Sequence, residues 1–185
     1  MDKIYRKELR RKFLIDALPE PLTRASRHLQ IFDNYIEGTR MRMRSVRDPE
    51  SKEWSRLLQQ RVPIETDGWL TLKVDELHLT ESEHEVFSVF EGTEIRKNRY
   101  FHEFDRRPFL IDMYLGELWG VNIANVEFPD EASFIDYEPP PFAVFDITND
   151  HFFLGEQLVH KKFQDVRNEV ARISDRALIK VDTSE

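Results

Sequence analysis

The segment Glu8-Leu9-Arg10-Arg11-Lys12-Phe13-Leu14-Ile15 repeats a charge at every second residue, and this spacing restricts the fold more than any other feature of the chain. In an extended strand successive side chains point to opposite faces, so Glu8, Arg10 and Lys12 share one face while Leu9, Arg11 and Phe13 share the other. A face of three charges does not build a dry core. It suits either a charged sheet edge, where Lys and Arg discourage pairing, or the wall of a wet channel. The pattern returns downstream: Arg40, Arg42 and Arg44 alternate with Met41 and Met43, Thr71 shares a face with Lys73, Lys97 with Arg99, and Asn125 with Glu127, while Asp112 stands isolated among apolar neighbours. Arginines stacked in this way repel one another unless an anion sits among them or water screens them.

At 185 residues the chain is long enough to bury a real core as one domain, or as one domain with an appendage. The absence of cysteine excludes disulfides and thiolate metal sites. No basic leader followed by an apolar run opens the sequence and no run reaches membrane-spanning length, so a soluble, cytoplasmic chain without membrane contact is expected. The net charge of −8 argues against nucleic acid as a partner, because phosphate affinity needs clustered Lys and Arg. It leaves room for a concentrated internal basic site. Fourteen Phe and nine Pro against six Gly indicate an aromatic, well-packed, β-rich domain.

Period-two alternation predicts further strands over residues 30–36, 39–44, 69–74, 95–101, 109–115 and 122–128. Residues 22–29 are expected to form a short helix or turn. The polar stretch from Ser45 to Pro63 reads as a lid or flap, with residues 53–60 helical. Thr80-Glu81-Ser82-Glu83 has the form of a capping box, predicting a helix to about Phe90. Apolar residues at helical spacing (Phe163, Val166, Val170, Ile173) predict an amphipathic helix over about 156–174. Residues 1–158 are expected to form the main domain, and 159–185 a helical extension packing on it or on a partner, which leaves a homodimer open.

Collected on one face, Arg10, Lys12, Arg40, Arg42, Arg44, Lys73, Lys97 and Arg99 would line a common interior with Glu8, Asp112 and Glu127. Burying so much unpaired charge costs several kcal/mol per ion, so the arrangement requires a polyanion, abundant water, or both. Arg forks match phosphate oxygens two at a time and Lys supplies point charge, which suits an extended phosphate chain. Carboxylates fit beside phosphates if they hold Mg²⁺ or Mn²⁺, and cations plus a carboxylate-held metal form the equipment for phosphoryl transfer to water. The competing reading of the same periodicity is a sheet with one solvated, charged face.

These residues resemble the CYTH superfamily, the triphosphate tunnel metalloenzymes. Glu8-Leu9-Arg10-Arg11-Lys12-Phe13-Leu14-Ile15 is similar to its Glu-x-Glu-x-Lys signature and the apolar run after it. Met41-Arg42-Met43-Arg44, Thr71-Leu72-Lys73 and Lys97-Asn98-Arg99-Tyr100 resemble its basic strands. Ile111-Asp112-Met113-Tyr114, Asn125-Val126-Glu127-Phe128, Pro139-Pro140-Pro141-Phe142 and Asp146-Ile147-Thr148 follow in the family's order, the whole covering about residues 5–158. The resemblance implies an α+β, mainly antiparallel fold: an eight-stranded closed tunnel barrel with peripheral helices and a C-terminal helix. It implies a tunnel that binds a triphosphate-containing small molecule or inorganic polyphosphate. By position Glu8, Asp112 and Glu127 would bind Mg or Mn, Glu8, Lys12 and Glu127 would be catalytic, and Arg10, Lys12, Arg40, Arg42, Arg44, Lys73, Lys97 and Arg99 would bind phosphate. Two departures fall on the metal side: Arg10 stands where the signature has its second glutamate, and Asn125 where it has the first glutamate of Glu-Val-Glu. The expected function is therefore triphosphate hydrolysis with a divalent metal, or phosphate-chain binding with a weakened metal site and little turnover.

Overall fold

The computed structural model describes residues 5–182, with side chains described through residue 175. One antiparallel sheet is built from β1 (Arg6–Glu8), β2 (Arg10–Leu14), β3 (His28–Ile36), β4 (Met41–Arg47), β5 (Trp54–Thr66), β6 (Trp69–Leu79), β7 (Gly92–Phe104), β8 (Arg107–Tyr114), β9 (Asn122–Glu127) and β10 (Phe145–Asp146). Among the described residues the helices are α1 (Glu81–Phe87), α2 (Glu131–Ile135), α3 (Gly155–Leu158) and α4 (Phe163–Asp182). None is long and apolar enough to cross a membrane.

Across the sheet the order is β1-β6-β5-β4-β3-β7-β8-β9-β2-β10. Two meanders, β3 to β6 and β7 to β9, are joined by the β3–β7 pairing. Single-residue separation at Leu9 divides β1 from β2, yet Glu8 registers with Leu72 of β6 and Arg10 with Glu127 of β9. One short N-terminal segment thus touches both flanks of the sheet, which curls it around an interior. The sheet has ten strands where eight were expected, because the first strand is broken at Leu9 and the two-residue β10 adds itself beyond β2.

The apolar core lies largely outside the curled sheet. Phe13, Phe109, Ile111, Ala124 and Val126 pack with Phe128 and Phe134 of the covering segments. Phe13 and Phe109 are fully buried, each worth about 1.5–3 kcal/mol by area removed from water. A second cluster closes part of the inner face: Leu14, Ile95, Tyr114 and Ile123 meet Phe153, Leu158, Val159 and Val166. Leu154 packs against Leu70, Leu72 and Val74. The segment around residues 151–158 therefore forms an apolar floor to an otherwise polar interior.

The expected flap is instead a strand. β5 pairs with β4 from Met41↔Gln60 to Arg47↔Trp54 and with β6 from Arg56↔Leu79 to Thr66↔Trp69. Its polar residues misled because one face of this sheet is wet, so polarity does not exclude sheet. Pro63 lies beyond the last β4 partner, where β5 has a neighbour on one side only and a missing N–H is tolerated. The turn into β6 uses Asp67 and Gly68, both at positive φ (51° and 79°), the pairing a tight hairpin turn requires. Residues 22–26 are turn, not helix, and β3 begins at His28. The Thr80 capping box is present, with Glu83 N donating to Thr80 Oγ1 and Thr80 N to Glu83 Oε2, but α1 ends at Phe87. The C-terminal helix is divided into α3 and α4, and the last three residues of the expected extension lie outside the described residues.

Candidate functional site

Register carries the inward face from strand to strand, because residues directly opposite each other share a face. Lys12 stands opposite Asn125, Arg99 opposite Asp112, Lys97 opposite Ile31, Asp33 opposite Arg44, and Arg42 opposite Gln59. The interior is therefore lined by Arg10 and Lys12 from β2, Arg42 and Arg44 from β4, Arg61 from β5, Lys97 and Arg99 from β7, and Asp112 from β8. Space left between these side chains amounts to about 60 Å³. Arg11, on the alternate face, is stacked 4.5 Å from the Trp69 ring, donates to the Phe134 carbonyl and pairs with Asp146, a structural role in the outer core.

Three buried carboxylates, Glu8, Asp33 and Asp112, hold this cationic lining together. Asp33 accepts two bonds from Arg44 (2.6 and 2.7 Å), a third from Arg42 (3.2 Å), and lies 3.8 Å from Lys97 Nζ. Asp112 accepts two from Arg99 (2.7 and 2.8 Å) and has Lys97 Nζ at 2.9 Å. Arg42 is held further by Gln59 Oε1 and the Tyr35 hydroxyl. Burial opposes ionisation of both aspartates, but their guanidinium and ammonium partners outweigh it and keep them well below the usual carboxylate range.

The cations divide: Arg10 and Arg44 are buried but are raised by their carboxylate partners, whereas for Arg61, Lys97 and Lys12 burial prevails and disfavours the charged form. Burial, with Arg42 and Arg10 nearby, pushes Arg61 down to about 10 despite its bond to Glu8. Lys97 is lowered by burial to about 8, the two aspartates offsetting part of that cost. Lys12 is lowered furthest, to about 7, by burial and by Arg61 and Arg10. Each other lining cation has a carboxylate within ion-pair distance; for Lys12 there is none among the described residues.

At the mouth, Arg10 sits between Glu8 and Glu127. Its Nη2 donates to Glu127 Oε1 and its Nε lies 3.2 Å from Glu8 Oε1, without the alignment of a hydrogen bond. Arg61 donates to Glu8 Oε1 (2.9 Å), and Arg6 donates to Glu8 Oε2 (3.3 Å) while approaching Glu127 at 3.7 Å. Burial works against the Glu8 charge, yet Arg10, Arg61 and Arg6 hold its carboxyl far below its ordinary range.

This arrangement does not fit a divalent metal held by Glu8, Asp112 and Glu127. Both oxygens of Glu8 are engaged by guanidiniums, Asp112 is taken by Arg99 and Lys97, and Asn125 turns its amide toward the Leu110 and Ile123 carbonyls. Among the described residues no three His, Asp or Glu side chains converge on a metal position. A dication about 4 Å from a single guanidinium is repelled by about 8 kcal/mol at an effective dielectric of about 20.

Two expected phosphate ligands are elsewhere. Lys73 lies on the outer face of β6, whose inner face carries Leu72 and Val74 over the apolar floor, and its ammonium sits 4.1 Å from the Tyr5 ring. Arg40 is exposed in the turn before β4, where its carbonyl accepts from Arg61 N. Asp33, Arg61, Arg6 and Tyr35 were not foreseen. Asp33 had a signal in the alternation Ile31-x-Asp33-x-Tyr35, whereas Arg61 was concealed by the assignment of its segment to a flap.

No family model matches the chain. It is 24% identical over 157 residues to an inorganic triphosphatase of Nitrosomonas europaea, covering 82% of this chain and 95% of that protein. The solved inorganic triphosphatase NE1496 aligns with a TM-score of 0.55 at 18% identity, over 83% of this chain and 95% of that one. The PH1819 protein from Pyrococcus horikoshii OT3 aligns with a TM-score of 0.52 at 15% identity, over 68% and 82% respectively. The structural likenesses give the fold.

Proposed function

We propose that the cationic interior receives the triphosphate group of inorganic triphosphate or of a small organic triphosphate, and that hydrolysis of that group is the reaction. The observation that carries this reading is the row of Arg10, Lys12, Arg42, Arg44, Arg61, Lys97 and Arg99 on one continuous inner face, seven cations against three buried carboxylates. The likeness to the Nitrosomonas triphosphatase over most of both chains supports it. In this reading the segment from Arg6 to Leu14 closes the sheet into an eight-stranded tunnel of the CYTH type. The phosphate chain enters by ion exchange: guanidiniums turn from Asp33 and Asp112 onto phosphate oxygens, each accepting charge-assisted bonds in two-pronged geometry. Lys12, lowered to about 7 and without a carboxylate partner among the described residues, takes up a proton as the anion arrives and is placed to return it to a leaving phosphate oxygen.

Arg10 between Glu8 and Glu127 favours a second reading, in which the chain is held with little turnover. Phosphate release from tripolyphosphate separates the two, measured with Mg²⁺ and with Mn²⁺ for the wild type and for Arg10→Glu/Asn125→Glu. We expect slow wild-type release, raised roughly tenfold or more once the two carboxylates are supplied. Tight binding without release selects the second reading. Wild-type turnover equal to that of the double variant would show that Arg10 and Asn125 do not limit the reaction.

A further inference from the structure

We propose that this protein takes its phosphate chain free of divalent metal, with Arg10 as the resident cation at the place where two carboxylates would otherwise share a metal ion. The proposal rests on the reading of the interior as a triphosphate site and concerns the form of ligand that it admits.

Arg10 reaches both mouth carboxylates at once, through Nη2 to Glu127 and through Nε near Glu8. Arg6 also approaches both, from the other side, and Arg61 takes Glu8 Oε1. Glu8 and Glu127 thus have three guanidiniums around them, and the side chain that would complete an acidic cluster from β9 is the neutral Asn125, whose amide donates to main-chain carbonyls. A guanidinium does for a phosphate chain part of what a divalent ion does: it neutralises charge and donates to two oxygens in a fixed geometry. It differs in being covalently part of the wall, so no ion has to be recruited with the ligand. A triphosphate already complexed to Mg²⁺ brings two positive charges into a lining whose seven cations outnumber its three buried carboxylates, and its metal-bound oxygens are no longer open to Arg forks. Metal in solution should therefore compete with this site for the anion rather than bridge the two.

Calorimetric titration of the full chain with tripolyphosphate, once in EDTA and once with excess Mg²⁺, tests this. Binding in EDTA is expected to be at least as tight as in Mg²⁺. For Arg10→Gln, affinity in EDTA should fall about tenfold, the loss of one charge-assisted contact, and Mg²⁺ should then strengthen binding. Wild-type binding that requires Mg²⁺, or tightens tenfold with it, would overturn the proposal while leaving the triphosphate site intact. Absence of binding under both conditions would instead remove the site itself. The wild-type comparison decides alone if Arg10→Gln does not fold.

Discussion

Replacement of Asp33 by alanine is expected to destabilise the protein by about 3–5 kcal/mol, the usual consequence of removing one partner from a buried ion cluster. Asp33 is 1% exposed and is the carboxylate toward which Arg42, Arg44 and Lys97 converge from β4 and β7. Without it Arg44 loses two bonds, and three cations face one another across the interior with only Asp112, shared with Arg99, to offset them. For a chain of this length such a loss lowers the thermal midpoint by roughly 10–15 °C. Tripolyphosphate should restore part of that loss by supplying the missing negative charge, since a ligand bound only by the folded state stabilises it. Thermal melts with and without tripolyphosphate check both parts. A midpoint within a degree or two of wild type would show that the cluster is not what holds the inner face together. The same cluster sets the acid limit: carboxyls held below their unfolded values contribute stability that is present above about pH 4 and lost as pH falls further.

Lys12→Ala should act in the opposite way, weakening anion binding about 10- to 100-fold, the worth of a charge-assisted contact, with stability unchanged or raised. Among the described residues Lys12 has no ion-pair partner and is instead crowded by Arg61 and Arg10, with Lys97 adding repulsion and Glu8 the offsetting attraction. Its folded value of about 7 lies below the ordinary lysine value of 10.5, so between these limits the unfolded chain binds the extra proton. Wild-type stability from this group therefore rises with pH across that window, and the variant should lose the dependence. Ligand binding runs the other way. An anion favours the charged ammonium, so wild-type affinity should decline as pH rises through 7, and binding at pH 8 should take up protons. Titration in two buffers of different ionisation enthalpy measures that uptake. Equal uptake by Lys12→Ala would assign the proton to another group, Lys97 being the nearest in range.

Much of the inner face was legible from period-two alternation, because a strand converts spacing directly into sidedness. Glu8, Arg10 and Lys12 share the inner face as read, and so do Arg42 with Arg44, Lys97 with Arg99, and Asn125 with Glu127. Alternation cannot tell which of two mixed faces turns inward. On β6 the expectation put Lys73 inside, whereas Leu72 and Val74 face inward under the cover of Leu154 and Lys73 is carried outward. Pairing was less legible still. Arg10 meets Glu127 across 117 residues and Arg61 meets Glu8 across 53, distances over which composition holds no information about partners. The β5 segment was missed because a polar strand facing a wet interior has the composition of a loop.

The central claim is that this interior is built for an extended phosphate chain, and its most direct measurement is a calorimetric titration of the wild-type protein with phosphate, pyrophosphate and tripolyphosphate in turn. The account predicts one tripolyphosphate per chain, affinity that rises steeply from one phosphate to three as more guanidiniums are engaged, and weakening with added salt that is modest because the cations are buried. Equal affinity for all three anions, or no binding of tripolyphosphate, would contradict it.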